Sequence, residues 1–147
     1  MIIQPWVELL ARCKMITLPQ GTSLFHGARR LDGEDWIQDV MWVTISKDDA
    51  SEYVRRDASQ MLKRKLLEFR TLKDLILLDW SSLSGPKLSD LAQQEYGADI
   101  VGTYDYPIRR HLLETARNAK QCEFDGCIKW EGQEILIDRI PKILREV

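Results

Sequence analysis

The chain has two histidines, His26 and His111, and the first stands in Ser23-Leu24-Phe25-His26-Gly27-Ala28-Arg29, an apolar run that delivers an imidazole and then a glycine. Gly27 permits unusual backbone angles and lets a ligand come close to the main chain, because no Cβ intervenes. His26-Gly27 therefore reads as the corner of a binding site. The plain alternative is a strand closing in a turn around a structural histidine. Trp42 and Tyr53 bring aromatic faces that can stack on a flat ring, and Glu134 opens the run Glu134-Ile135-Leu136-Ile137 with a carboxylate. Taken singly, Tyr53 reads first as a core aromatic on an amphipathic helix and Glu134 as a solvent-facing strand carboxylate; only their combination with His26 points to a site. His111 falls on a helix flank and is read as structural or solvated.

The elements that must position these groups follow from periodicity. In a strand Leu24 and His26 share one face and Phe25 takes the other, and Gly27 is expected to turn the chain. Trp6, Leu9, Leu10 and Cys13 repeat at helical spacing, begun by Pro5 and closed before Pro19-Gln20-Gly21. Val40-Met41-Trp42-Val43-Thr44-Ile45 reads as a second strand. Ser46 then stands as N-cap with Asp49 three residues on, and Ala50, Tyr53 and Val54 continue a helix. Two β-type segments, 66–70 and 75–79, flank Lys73-Asp74 and are expected to pair locally.

Further on, Ser84-Gly85-Pro86 opens a helix with Leu88, Leu91, Ala92 and Tyr96 aligned and Gly97 as its stop. A longer helix follows Pro107 with Ile108, Leu112, Ala116 and Ala119 as its buried line. Residues 126–137 read as a β-hairpin turning at Glu131-Gly132, with Glu134 on its second strand. Strands and helices mix without regular βαβ alternation, so the class is α+β, in one domain spanning residues 1–147.

The composition excludes several function classes. A hydrophobic fraction of 44% and a charged fraction of 30% suit an ordinary globular chain, and no apolar run approaches the roughly 20 residues a bilayer span requires. A net charge of −2 argues against a general nucleic-acid coat. The basic clusters Arg55-Arg56 and Lys63-Arg64-Lys65 read as solvated flanks of a helix and a strand. Cys13, Cys122 and Cys127 lack the close spacing and histidine partners of a zinc site, so no metal is expected and the thiols read as reduced and structural. The N-terminus lacks a continuous apolar signal segment. That suggests a cytoplasmic protein, or one exported into a host cell without a cleavable leader.

Phe25-His26-Gly27 with Arg29, Trp42-Val43-Thr44 leading into the helix of Tyr53, and Phe124-Asp125-Gly126-Cys127-Ile128 leading to Glu134 together resemble the ADP-ribosyltransferases of the diphtheria-toxin-like and poly(ADP-ribose)-polymerase-like clade. That clade carries a His, Tyr, Glu signature on three separate strands. The resemblance covers most of the chain in the family's order, through short motifs. It implies split mixed and antiparallel sheets with flanking helices. The family usually has tyrosine where Trp42 stands, which keeps a stacking face and loses a hydroxyl; Tyr53 is the alternative signature tyrosine.

The resemblance also implies a chemistry: NAD is the substrate, and the bond between nicotinamide and ribose breaks through a transition state with oxocarbenium character. A carboxylate beneath the sugar stabilises that growing positive charge more than it stabilises the ground state, and Glu134 would take the role while orienting the acceptor. His26 would hold the adenosine ribose and the Gly27 backbone the nicotinamide amide. Tyr53 and Trp42 would sandwich the ring, with Thr44 supporting the glutamate. Arg29 would meet the phosphates, or is simply a solvated turn residue.

Arginine-modifying relatives carry a second glutamate two residues before the catalytic one, where this chain has Gly132, and Glu131 and Gln133 have the wrong parity. The expectation is therefore mono-ADP-ribosylation of a non-arginine acceptor, protein first and nucleic acid left open, in the manner of a toxin or effector. Plain NAD hydrolysis is the near alternative. RNA 2′-phosphotransfer would require more histidines than two. A non-catalytic NAD-binding or protein-interaction domain is favoured by Trp42 in place of tyrosine.

Overall fold

The computed structural model describes residues 12–56, 62–79, 113–114, 116–129 and 134–147. Eight strands and two short helices are named within them: β1 (Met15–Leu18), β2 (Ser23–Arg30), β3 (Met41–Val43), α1 (Lys47–Arg56), β4 (Lys63–Thr71), β5 (Leu75–Asp79), β6 (Gly126–Lys129), β7 (Glu134–Ile137), α2 (Ile140–Ile143) and β8 (Leu144–Glu146). Residues 113–114 and 116–120 are also helical. The class is α+β, as expected. The helices expected around Trp6, at 84–97 and in the first turns after Pro107, with His111, Glu131 and Gly132, lie outside the described residues. No helix among the described residues is long and apolar enough to cross a membrane.

The strands form two sheets. Sheet A has five, in the order β1-β5-β6-β7-β3, and sheet B has three, in the order β2-β4-β8. All pairs are antiparallel except β5 with β6. Leu24 and Ala28 of β2, Leu67 and Phe69 of β4, Met41 and Val43 of β3, Leu75 and Leu77 of β5, and Ile135 and Ile137 of β7 belong to one buried cluster. Period-two alternation turns these side chains inward from both sheets, and the opposite parity outward. Leu113 and Ala116 are buried outside that cluster.

Three local expectations change. The chain does not turn at Gly27, because β2 keeps register with β4 from Ser23 opposite Arg70 to Arg30 opposite Lys63. Segments 66–70 and 75–79 do not pair with each other: β4 is flanked on both edges by β2 and β8, so β5 joins β1 and β6 in the other sheet. Residues 72–74 carry the chain across. The strand expected over 40–45 is paired with β7 at Met41–Val43, and Thr44 turns aside to bridge Phe25. β1 and the α2–β8 tail had no periodic pattern long enough to announce them. The hairpin of β6 and β7 pairs as read, Gly126 opposite Ile137 and Lys129 opposite Glu134. The α1 cap also stands, with the Asp49 N–H donating to Ser46 Oγ at 3.1 Å.

Candidate functional site

Among the described residues, one isolated main-chain bridge links the two sheets. Phe25 and Thr44 exchange both main-chain hydrogen bonds, each 2.8 Å long, so their side chains share a face. That face can be followed by parity in both directions. On β3 it carries Trp42, whose cross-strand partner Leu136 lies on the same side of β7 as Glu134. On β2 it carries Gly27 and Arg29, and α1 lies over them. The sequence-predicted Trp42, Thr44, Glu134, Gly27, Arg29 and Tyr53 thus belong to one continuous face. His26 does not, because it turns to the inner side with Leu24 and Ala28.

Gly27 is required here for a reason other than a turn. A Cβ at this position would lie 2.6 Å from the Ala50 carbonyl oxygen and 3.1 Å from both Tyr53 Cδ1 and Val54 Cγ2. The missing side chain lets one turn of α1 press on the strand, which brings Tyr53 over β2. The Tyr53 ring then takes the Arg29 guanidinium at 3.8 Å from its centroid, a cation–π contact. Thr44 is 8% exposed, and its Oγ1 accepts the Ser46 N–H at 3.0 Å, so its hydroxyl shapes the entry to α1. Glu134 is half-buried at the start of β7.

Phe25 bonds toward β3, so Gly27, two residues on, presents its N–H and C=O to that same edge. An unbroken ladder would bring Gly27 opposite Trp42 as the next hydrogen-bonded pair. The bridge of Phe25 with Thr44 is isolated, so the ladder does not continue to this pair. A different group has taken the Trp42 carbonyl: His26 Nδ1 lies 2.6 Å from it. The other ring nitrogen, Nε2, is 3.1 Å from Arg30 Nη2. Both imidazole nitrogens therefore have protein partners, where a ribose hydroxyl had been expected on this ring.

Arg30 is the residue that sequence reasoning missed. It is 6% exposed and donates through Nε to the Asp35 carbonyl at 3.0 Å, through Nη1 to the Arg29 carbonyl at 2.9 Å and through Nη2 to the Trp36 carbonyl at 2.9 Å. Its signal was parity: an arginine on the inward set 24, 26, 28, 30 of a strand must find donors' partners inside. None of the three cysteines forms a disulfide among the described residues; Cys13 and Cys127 are buried and Cys122 is exposed. Burial pushes the Cys127 thiol well up, Arg117 opposing and Cys13 and Asp138 adding. Cys13 is raised by burial against the pull of Lys120, with Asp79 adding.

Protein-family models, curated proteins and solved structures contain no match to this chain.

Proposed function

We propose that the chain is an ADP-ribosyltransferase that cleaves NAD and transfers ADP-ribose to a macromolecular acceptor other than arginine. The observation that carries this reading is the Gly27 main-chain edge. One N–H donor and one C=O acceptor, side by side and turned away from β4, are the complement of a primary carboxamide, and nicotinamide presents that group on a flat ring. Tyr53 stands over the same residue, held there by the absent Cβ, and Trp42 and Glu134 share the face.

In this reading Glu134 stabilises positive charge on the ribose as the C1′–N bond breaks and its electron pair leaves with nicotinamide. The acceptor's nucleophile then bonds to C1′ and loses its proton, or water does so and the outcome is NAD hydrolysis. Arg29 occupies one stacking face of the Tyr53 ring, and the N–H groups in the guanidinium plane are what it would offer a phosphate. His26 contributes by orienting the main chain rather than by touching the sugar.

Nicotinamide release from NAD by the purified protein, with and without a cell lysate as acceptor source, tests the proposal. The expected result is turnover that falls at least about a hundredfold in Glu134→Gln while the unfolding midpoint is kept, the scale expected for loss of a transition-state contact worth nearly 3 kcal/mol. Unchanged turnover in that variant sinks the assignment of Glu134. A second reading, a domain that binds NAD without cleaving it, is favoured by the Arg29 guanidinium on the Tyr53 face. It predicts NAD binding with no nicotinamide released.

A further inference from the structure

Arg30 and His26 together explain why the ladder between β2 and β3 stops after one bridge. A guanidinium has hydrogens to give and no lone pair to offer, so at 3.1 Å from Arg30 Nη2 the His26 Nε2 atom must be the acceptor. The ring proton then resides on Nδ1, which donates to the Trp42 carbonyl at 2.6 Å. His26 is thereby a neutral imidazole of defined tautomer. Arg30 cannot easily swing away and release it, because Asp35, Trp36 and Arg29 carbonyls hold three of the other four N–H groups.

We infer that Arg30 and His26 act as a wedge that holds the two sheets apart at the candidate site. The locked ring holds the Trp42 carbonyl, the group that an unbroken ladder would give to the Gly27 N–H. Without the ring, Gly27 and Trp42 would close as the next antiparallel pair after Phe25 and Thr44, the register that those two residues already set. His26 and Arg30 are thus positioning residues: neither needs to touch a ligand, and each acts through the backbone edge it keeps open. The wedge stands whatever the ligand proves to be; its use in holding a carboxamide rests on the NAD reading above.

The test is nuclear magnetic resonance of the full chain near pH 7.5. With His111→Gln leaving one histidine, imidazole nitrogen shifts report the tautomer, and the expected form is neutral with Nδ1 protonated. Scalar coupling through the hydrogen bond is expected between His26 Nδ1 and the Trp42 carbonyl carbon, and not between Gly27 N and that carbon. In His26→Leu the Gly27–Trp42 coupling should appear, and Gly27 amide exchange should slow at least tenfold even as the protein becomes less stable. A residue that merely supported the fold would give faster exchange. An Nε2-protonated or doubly protonated ring, a Gly27–Trp42 coupling already present in the natural chain, or unslowed Gly27 exchange in His26→Leu would each overturn the inference. If His26→Leu does not fold, the tautomer and the couplings of the natural chain decide it. None of these readouts uses NAD, so an inert protein with the expected tautomer would refute the enzyme and leave the wedge standing.

Discussion

Two arginines are buried to the same degree, Arg30 and Arg117 at 6% exposed each, and they are satisfied by different chemistry. Arg117 forms a two-pronged ion pair with Asp138, Nη1 to Oδ2 at 2.8 Å and Nη2 to Oδ1 at 2.7 Å, and its Nε donates to the Phe124 carbonyl at 2.9 Å. It fastens helical residues 116–120 to the chain just after β7. Arg30 spreads its N–H groups over three main-chain carbonyls and one imidazole. The first arrangement is a rivet between two points. The second organises a whole stretch, from Arg29 through residues 31–40 to Trp42, and it does so beside the candidate site.

That contrast predicts different consequences of breakage, and the largest belongs to the rivet. Burial opposes the Arg117 charge, but the Asp138 hydrogen bond and charge, with Glu123 adding, outweigh it and raise the guanidinium above its ordinary pKa. Asp138→Ala removes the compensation and strands a buried cation. The expected loss is about 3–5 kcal/mol, as for other broken buried pairs, read from the urea midpoint at constant slope. Replacing both partners, Arg117→Met with Asp138→Leu, should recover most of that loss because no charge is left behind. A double variant as unstable as the single one would mean that the pair contributes through hydrogen bonding to Phe124 and not through charge balance.

Arg30→Met should cost less, about 1.5–3 kcal/mol for hydrogen bonds made by a charged donor. What it strands are carbonyls at residues 29, 35 and 36, and Asp35 is exposed, so water can replace part of what is lost. The change should be concentrated in amide exchange of residues 31–42, with little effect on β6 and β7. An effect as large and as global as that of Asp138→Ala would erase the distinction between the two arginines.

How much of this was legible in the sequence depended on the range of the interaction. The Ser46 cap, α1 and the β6–β7 hairpin rest on contacts a few residues apart, and the residue pattern carried them. At Gly27 the sequence points to a ligand coming close to the backbone, whereas what lies against the strand there is α1, more than 20 positions later in the chain. Sheet membership depends on which edges other strands fill, which no local pattern encodes; hence β4 and β5, neighbours in sequence, lie in different sheets. His26 drew attention as a rare residue type, and its face was read properly. Its partners, a carbonyl at 42 and a guanidinium four residues on, needed the β3 edge to be in place.

The smallest expected effect separates the arginines by their neighbours. Cys127 lies beside Arg117 on the outer side of sheet A, and burial raises its pKa well above the ordinary 9.0. Unfolding lets the thiol ionise at that ordinary value, so the unfolded chain binds fewer protons than the folded one once pH passes 9.0. Stability from this group is therefore complete below that pH and declines as pH rises toward the folded pKa, by about 1.4 kcal/mol per pH unit. Urea midpoints of the natural chain and of Cys127→Ala, measured from pH 8 upward, should diverge in slope by that amount, which removes the shared titration of lysines and tyrosines. Asp138→Ala should shorten the window, because an uncompensated Arg117 favours the thiolate in the folded state. Arg30→Met should leave the window unchanged. A change there equal to that of Asp138→Ala would show that the two arginines, one on β2 and one in helical residues 116–120, belong to one electrostatic unit.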